Sequence, residues 1–289
     1  MTPNTRAALF MMASMAAFTL NDTCVKLVGL ELPLMQIVTL RGVLACLLIY
    51  GLARHLGALR FDLTRLDWAM VGLRALGEVS ATWFFLNALM HMPIANLTAL
   101  LQVLPLAVTL GAALVFGERV GWRRYTAIGI GFCGMLLIVR PGPEGFSIDA
   151  LYGLASVVCV TVRDLATRRM SARVPSLTVA LISAAAVAGL AAIGSLGTDW
   201  APVDLRLGAL LGLAAVFVFF GYLFSVAVMR SGEVSFSAPF RYTGLLWALL
   251  LGWLVFDHWP TPLTLLGAGV VIASGLFTFH RERVVQQAA

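Results

Sequence analysis

Residues Leu86 to Glu118 read LNALMHMPIANLTALLQVLPLAVTLGAALVFGE. From Ile94 to Phe116 they run 23 residues without a charge, enough for an α-helix to cross a hydrocarbon core roughly 30 Å thick. The stretch has an echo 139 residues on. Phe85 falls on Phe224, Ala88 on Ala227, Met90 on Met229, Ala99 on Ala238, Leu106 on Leu245 and Glu118 on Asp257. A shift of 142 brings the beginnings of the two halves into line, matching Leu9 with Leu151, Ala13 with Ala155, Ser14 with Ser156, Thr19 with Thr161, Asp22 with Asp164 and Pro33 with Pro175. Matched Ala and Leu carry little weight in a chain that is 60% hydrophobic. The Asp, Ser, Thr, Pro and Met matches point to a duplication.

A mean hydropathy of +0.93 and a charged fraction of 12% exclude an ordinary soluble domain, in which about 25% of residues are charged. Ten apolar runs follow along the chain, here called spans 1 to 10: Ala7 to Val28, Pro33 to Leu52, Trp68 to Met90, Ile94 to Phe116, Trp122 to Ile138, Leu151 to Met170, Val174 to Leu196, Leu207 to Met229, Val234 to Phe256 and Thr261 to Phe279. Each has helix-spanning length, whereas barrel strands would be about half as long. The expected fold is an all-α integral membrane protein. Asn21, Asp22 and Lys26 continue span 1 without a small-residue cleavage pattern, so it reads as a retained helix rather than a secretory signal.

Five spans per half is an odd number, so the second half would enter the membrane with the opposite orientation. The expectation is an inverted repeat, residues 1–140 and 141–289, of the kind from which many secondary transporters are built. Fourteen arginines fall on one side when the N-terminus is placed inside: Arg6, Arg54, Arg60, Arg65, Arg119, Arg123, Arg124, Arg163, Arg168, Arg169, Arg173, Arg230, Arg281 and Arg283. Only Lys26, Arg140 and Arg206 fall outside. The positive-inside bias therefore puts both termini in the cytoplasm, and the expected location is a bacterial inner membrane. The net charge of +6 follows from this topology, with no basic tail or stacking platform for nucleic acid. Cys24, Cys46, Cys133 and Cys159 lie inside spans, without a CxxC pair, and read as packing residues.

Charges inside spans are costly unless paired or wetted, so they mark the interior of the bundle. Asp22 and Lys26 lie four apart on span 1, and Asp164 and Arg168 repeat that spacing on span 6. Span 2 carries Arg41, span 3 carries Arg74 and Glu78 one turn apart, and span 9 carries Arg241. Arg241 has no acid on its own span, and its repeat counterpart is Gln102. Positions 102 and 241 lie about 12 Å from opposite surfaces, near the midplane where inverted-repeat transporters hold substrate. They are the leading candidates for substrate contact, with Asn87 and Tyr242 behind them. Trp83, Tyr222 and Trp247 are candidate stacking walls for a planar ring, and Glu78 joins the lining set. Asp22 with Arg41 is the expected outer gate, and Asp164 with Arg74 or Arg163 the inner one. Trp68, Trp122, Trp200 and Trp259 stand at span ends, as interfacial anchors do. Gly129, Gly131 and Gly134 on span 5, and Gly267, Gly269 and Gly275 on span 10, allow close helix approach. They would either pack the halves together or form a homodimer seam; a monomer and a homodimer are both compatible with them.

The stretch Pro105 to Gly142, with Gly117-Glu118 ending span 4, Trp122 opening span 5 and GIGFCGMLLIVRPG leading out of it, resembles the drug/metabolite transporter superfamily, specifically its EamA-type ten-helix permeases. Phe256-Asp257 stands where Gly-Glu often stands in the second half. The resemblance implies a secondary transporter with both termini inside, a central cavity from spans 1 to 4 and 6 to 9, and spans 5 and 10 at the periphery. RDLATRR at Arg163 to Arg169 and FRYTGLLWALLLGW at Phe240 to Trp253 resemble a branch that includes riboflavin-uptake and S-adenosylmethionine-uptake proteins.

The expected activity is alternating-access transport of a small heteroaromatic or zwitterionic metabolite such as riboflavin. S-adenosylmethionine, an amino acid or an exported drug are the alternatives. A Walker A loop is absent, no cofactor is expected, and His55, His91, His258 and His280 sit at span ends or in loops, away from any cluster an enzyme would need. The expected partners are the small-molecule substrate and the lipid bilayer.

Overall fold

The computed structural model describes residues 2–117, 121–140, 147–171, 173–231 and 237–288. Glu118 and Arg119, singled out in sequence, lie outside the described residues. The chain is built of helices: α1 (Pro3–Val28), α2 (Leu34–His55), α3 (Arg65–His91), α4 (Ile94–Leu101), α5 (Leu104–Phe116), α6 (Trp122–Val139), α7 (Ile148–Arg169), α8 (Ser176–Gly194), α9 (Leu205–Ser231), a 3₁₀ turn at Ala238–Tyr242, α10 (Thr243–Phe256) and α11 (Pro262–Ala288). Local signals set their ends. The hydroxyls of Thr2, Thr64 and Ser147 accept from the first free N–H groups of α1, α3 and α7, the standard N-cap satisfaction. Gly117 closes α5 in the left-handed region at φ 66°, where a residue without Cβ is unstrained.

Among the described residues, eight helical segments are long and apolar enough to cross a membrane. Two expected spans fall short of that description for physical reasons. α3 has 27 residues but carries Arg65, Asp67, Arg74 and Glu78. α6 opens with Arg123-Arg124, which leaves the shorter apolar stretch Tyr125–Val139.

Span 4 is not one continuous helix. Pro105 has no N–H to give the carbonyl of Leu101, and its ring crowds that carbonyl. The N–H of Gln102 is shared between the carbonyls of Thr98 and Ala99, each at 3.2 Å, that of Val103 falls back on the i−3 carbonyl of Leu100 at 3.2 Å, and the chain restarts as α5. The described part of span 9 is irregular at the matching place, with the 3₁₀ turn Ala238–Tyr242 before α10.

Four helix pairs dominate the packing: α1 with α9, α3 with α7, α2 with α8 and α6 with α11. Small residues set their closeness. A Cβ on Gly134 would stand 2.9 Å from the carbonyl oxygen of Gly267, and one on Gly42 2.8 Å from the Cβ of Ala188. The glycine faces of spans 5 and 10 thus pack against each other within one chain at Gly134 and Gly267, while Gly129 and Gly269 meet open space. At one end of the α2–α8 pair, the Gln36 amide donates to the carbonyl of Ala201 at 2.8 Å and accepts from its N–H at 3.0 Å. At the other, the Thr178 hydroxyl donates to the carbonyl of Ala58 at 2.7 Å and accepts from the N–H of Arg60 at 3.2 Å. Gln36 and Thr178 are 1% and 0% exposed, so each buried polar group is satisfied in both senses.

Lys26 does not pair with Asp22. Its ammonium turns to the carbonyls of Leu89 and Met92 at the end of α3, with the ring of Phe256 at 5.8 Å, and so caps that helix C-terminus. Asp67, in the first turn of α3, accepts from the N–H of Ser171 at 2.9 Å, the Ser171 hydroxyl at 3.1 Å and the Thr64 hydroxyl at 2.8 Å, tying the start of α3 to the end of α7.

Gly134→Leu, driven into the backbone of Gly267, should destabilise the protein by about 1–3 kcal/mol, read as a lower thermal unfolding midpoint in detergent. Gly129→Ala, with no neighbour within 4 Å, should leave the midpoint unchanged.

Candidate functional site

The two helix breaks meet at a cavity of about 150 Å³ lined by Met15, Phe18, Thr19 and Asp22 from α1, Thr98, Leu101, Gln102, Leu104 and Pro105 around the α4–α5 break, Arg241 from the 3₁₀ turn and Gly244 from α10. Gln102 and Arg241, the two equivalent positions singled out in sequence, thus line one cavity, and Asp22 joins them. The geometry follows from the breaks. A continuous helix would commit its polar backbone inward, whereas interrupted helices present loose ends and side chains to a cavity.

The Gln102 amide is 7% exposed and, like the Arg241 guanidinium, has no hydrogen bond or ion pair to any described residue. Asp22 accepts one bond, 2.9 Å from the Asn21 amide. The Asn21 amide oxygen in turn accepts from Arg41 at 3.0 Å. Arg41 therefore reaches Asp22 through a neutral amide. The cavity carries a guanidinium at one wall, a carboxylate at another and an amide between them.

The remaining candidate residues form a second polar group. Glu78 on α3 accepts from Arg163 on α7 at 3.2 Å and from the Tyr222 hydroxyl on α9 at 3.2 Å, with Arg74 at 4.0 Å. Arg163 also reaches Asp164 at 2.8 Å, and Arg74 donates to the Thr167 hydroxyl at 2.6 Å. Two arginines and two acids balance in charge, and the Nε of Arg74 is buried with no hydrogen-bond partner among the described residues. Asp164 and Arg163 are neighbours on one helix; the bonds that join different helices are Arg163 to Glu78, Tyr222 to Glu78 and Arg74 to Thr167. Likewise Asp22 and Arg41 are linked only through Asn21, and α1 and α2 lie in the same half.

Four aromatic and amide candidates stand elsewhere. Trp83 is 46% exposed and lines a separate, mostly apolar groove between α2, α3 and α8. The Asn87 amide donates to the Trp83 carbonyl one turn back on its own helix. Tyr242 is buried, its hydroxyl close against Gly275 of α11, and Trp247 is half-buried outside the cavity lining. The lining residues not singled out in sequence, Met15, Phe18, Thr19 and Thr98, had a legible signal: 15, 18, 19 and 22 share one helical face, and so do 98, 101, 102 and 105. The ring of Phe18 packs edge-on to Tyr222, centroids 5.5 Å apart, so it joins the cavity to the Glu78 group.

One family model, described as the EamA-like transporter family, matches residues 5–140 and again residues 147–279. A pseudopaline exporter of Pseudomonas aeruginosa is 30% identical over 278 residues, 94% of this chain and 96% of its own length. A riboflavin transporter of Rhizobium johnstonii is 28% identical over 224 residues, 76% of this chain and 70% of its own. An S-adenosylmethionine uptake transporter of Rickettsia prowazekii is 22% identical over 193 residues, 66% and 65% of the two chains. A crystal structure at 20% identity superposes with a TM-score of 0.65, covering 94% of this chain and 95% of its own, a likeness of fold. By these matches the chain belongs to the EamA-like transporter family, within the drug/metabolite transporter superfamily.

Proposed function

We propose that this protein is a secondary membrane transporter that moves a small zwitterionic solute by alternating access, binding its carboxylate at Arg241 and Gln102 and its ammonium group at Asp22. The observation that carries the reading is the guanidinium of Arg241 in the cavity lining, with no hydrogen bond or ion pair to any described residue. A charge at membrane depth costs at least a few kcal/mol unless it is paired or wetted, and a ligand carboxylate supplies two acceptors in the geometry of a guanidinium fork. Of the two solute classes expected from sequence, volume supports the zwitterion. About 150 Å³ is half the roughly 300 Å³ at which drug-sized sites begin; it suits an α-amino acid better than a three-ring flavin. The intended stacking wall is also thin here, since Trp83 belongs to another groove. Riboflavin remains the second reading, favoured by the riboflavin-transporter relative.

An inverted repeat of five and five helices supports the alternating-access part. Under the sequence shifts, α1, α2 and α3 correspond to α7, α8 and α9. The contact α1–α9 then exchanges with α7–α3, while α2–α8 maps onto itself. The correspondence extends to single bonds: Gln36 shifted by 142 is Thr178, and Leu59, which lies between the Thr178 partners Ala58 and Arg60, shifts to Ala201, the partner of Gln36. The match of one family model to both halves supports the same division. The Arg163–Glu78 bond between α7 and α3 is the proposed inner gate, and the α1–α2 group at Asp22, Asn21 and Arg41 borders the outer side of the site. Both termini are placed in the cytoplasm of a bacterial inner membrane, and the paired glycine faces of α6 and α11 favour a functional monomer.

Three measurements test this. In proteoliposomes offered labelled amino acids, S-adenosylmethionine and riboflavin, saturable uptake of an amino-carboxylate solute should be lost in Arg241→Ala; flux untouched by that change would remove Arg241 from the site. Glu78→Gln should slow the same flux about tenfold, about 1.4 kcal/mol in barrier, with an unchanged half-saturating concentration; a rise in half-saturation alone would place Glu78 at the solute. Reporter fusions at residues 1 and 289 should be active only with cytoplasmic reporters, and an active periplasmic reporter would reverse the orientation.

A further inference from the structure

One aromatic ring stands between the cavity and the Glu78 group. Phe18 of α1 lines the cavity beside Asp22, and the same ring rests on α9. A Cβ on Gly221 would stand 2.7 Å from its Cε1 and 2.8 Å from its Cδ1, so the ring lies against bare backbone, an approach that any residue with a Cβ would block. One turn earlier on the same face of α1, the buried hydroxyl of Ser14 donates to the carbonyl of Gly221 at 2.8 Å. That bond holds α9 to α1 at this level, and the ring has no room to yield toward α9 unless α9 moves with it. The next residue is Tyr222. Its ring meets Phe18 edge-on, with centroids 5.5 Å apart and planes at 87°, a favoured aromatic geometry. Its hydroxyl donates to Oε1 of Glu78 at 3.2 Å, and Oε2 of the same carboxylate accepts from Arg163 at 3.2 Å.

Tyr222 thus touches three helices: α1 through Phe18, α3 through Glu78, and its own α9. Close-packed contacts pass a displacement on rather than absorb it. From this run of contacts, and resting on the alternating-access reading above, we infer that Phe18 is a positioning residue that couples the filling of the cavity to the inner gate. While the cavity is empty, its ring holds the Tyr222 hydroxyl on Glu78; a solute that displaces the ring draws Tyr222 off that carboxylate. One oxygen of Glu78 then lies buried without its donor, which raises the energy of the closed arrangement, and the Arg163–Glu78 bond opens more readily. The coupling runs both ways, because whatever the solute does to the gate equilibrium, the gate does to the solute's affinity. Phe18 therefore acts through Tyr222, whereas the polar contacts to the solute stay with Arg241, Gln102 and Asp22.

The gate can be read without knowing the solute. With Cys24, Cys46, Cys133 and Cys159 replaced by Ala, Thr98→Cys puts a single thiol in the cavity lining. A membrane-impermeant methanethiosulfonate applied to inside-out vesicles reaches that thiol when the inner gate opens. Tyr222→Phe, which keeps the ring and loses the hydroxyl, should speed the reaction about tenfold, the weight of one hydrogen bond to a charged group. Phe18→Leu and Phe18→Met should do the same. Phe18→Leu combined with Tyr222→Phe should be no faster than either alone, whereas independent effects would multiply to about a hundredfold. Phe220→Leu, which removes a ring of α9 stacked on Phe224 outside the cavity lining, should react as the parent does. A mixture of the protein amino acids should speed the parent and leave Phe18→Leu unchanged. Phe18 variants that react at the parental rate, or a combined variant about a hundredfold faster, would overturn the coupling and leave alternating access standing. A thiol that reacts equally fast in right-side-out and inside-out vesicles of every variant would overturn alternating access, and the coupling with it. Fast, non-multiplying variants beside a parent indifferent to amino acids would support the coupling and overturn the zwitterion reading.

Discussion

Hydrocarbon offers no hydrogen bonds, and that constraint organises this molecule. Each charge carried into the membrane has to be met by something other than water, and following the partners sorts the charges by role. Lys26 ends on backbone carbonyls and acts as a helix cap. Glu78 and Arg163 end on each other and hold α3 to α7. Arg41 ends on Asn21, an amide that passes its other end to Asp22. Arg241 ends on no described protein group. Structural charges close their circuits inside the protein, whereas a charge that leaves its circuit open toward a cavity is the one proposed to bind solute.

The backbone obeys the same constraint. A helix that breaks in lipid strands carbonyl and N–H groups, so breaks are tolerable only where they border protein or a polar cavity. Here Pro105 breaks one helix, and the 3₁₀ turn loosens another at the equivalent position. Both interruptions face the same space. The ordering cost of an irregular backbone is offset there by polar groups that a regular helix would have kept for itself, and the site exists because the two costs were placed together.

Much of this was legible in the sequence. The repeat shift by itself paired Gln102 with Arg241, and the cost of an unpaired arginine marked the pair as interior. Periodicity along α1, had it been applied outward from Asp22, would have found Met15, Phe18 and Thr19. What the sequence lacks is rotation about each helix axis. Trp83 and Asn87 stand at the right depth on α3, yet they point to a side groove and back along their own helix, because depth follows from residue count while azimuth follows from packing. The same gap hid Asn21. Asp22 and Arg41 looked like a gate from their depths alone, and only the side-chain geometry reveals the amide interposed between them. Pro105 could have been read as a break, since it sits inside the quoted stretch with four residues of helix before it to lose a bond.

Under the proposed exchange of conformations, symmetry assigns different duties to different contacts. A pair that the inverted repeat turns into another pair, such as α1–α9 into α7–α3, is free to tighten on one face as its counterpart loosens on the other. A pair that turns into itself has no counterpart with which to trade. The α2–α8 contact is of this second kind, and it is held at both ends at once by Gln36 on Ala201 and Thr178 on Ala58 and Arg60, with Gly42 against Ala188 between them. Gates alternate, and bonds formed simultaneously at both faces do not. The buried amide and hydroxyl are thus better suited to an axle than to a latch. The gating energy is left to the Glu78 group, whose bonds cross between helices that the repeat exchanges.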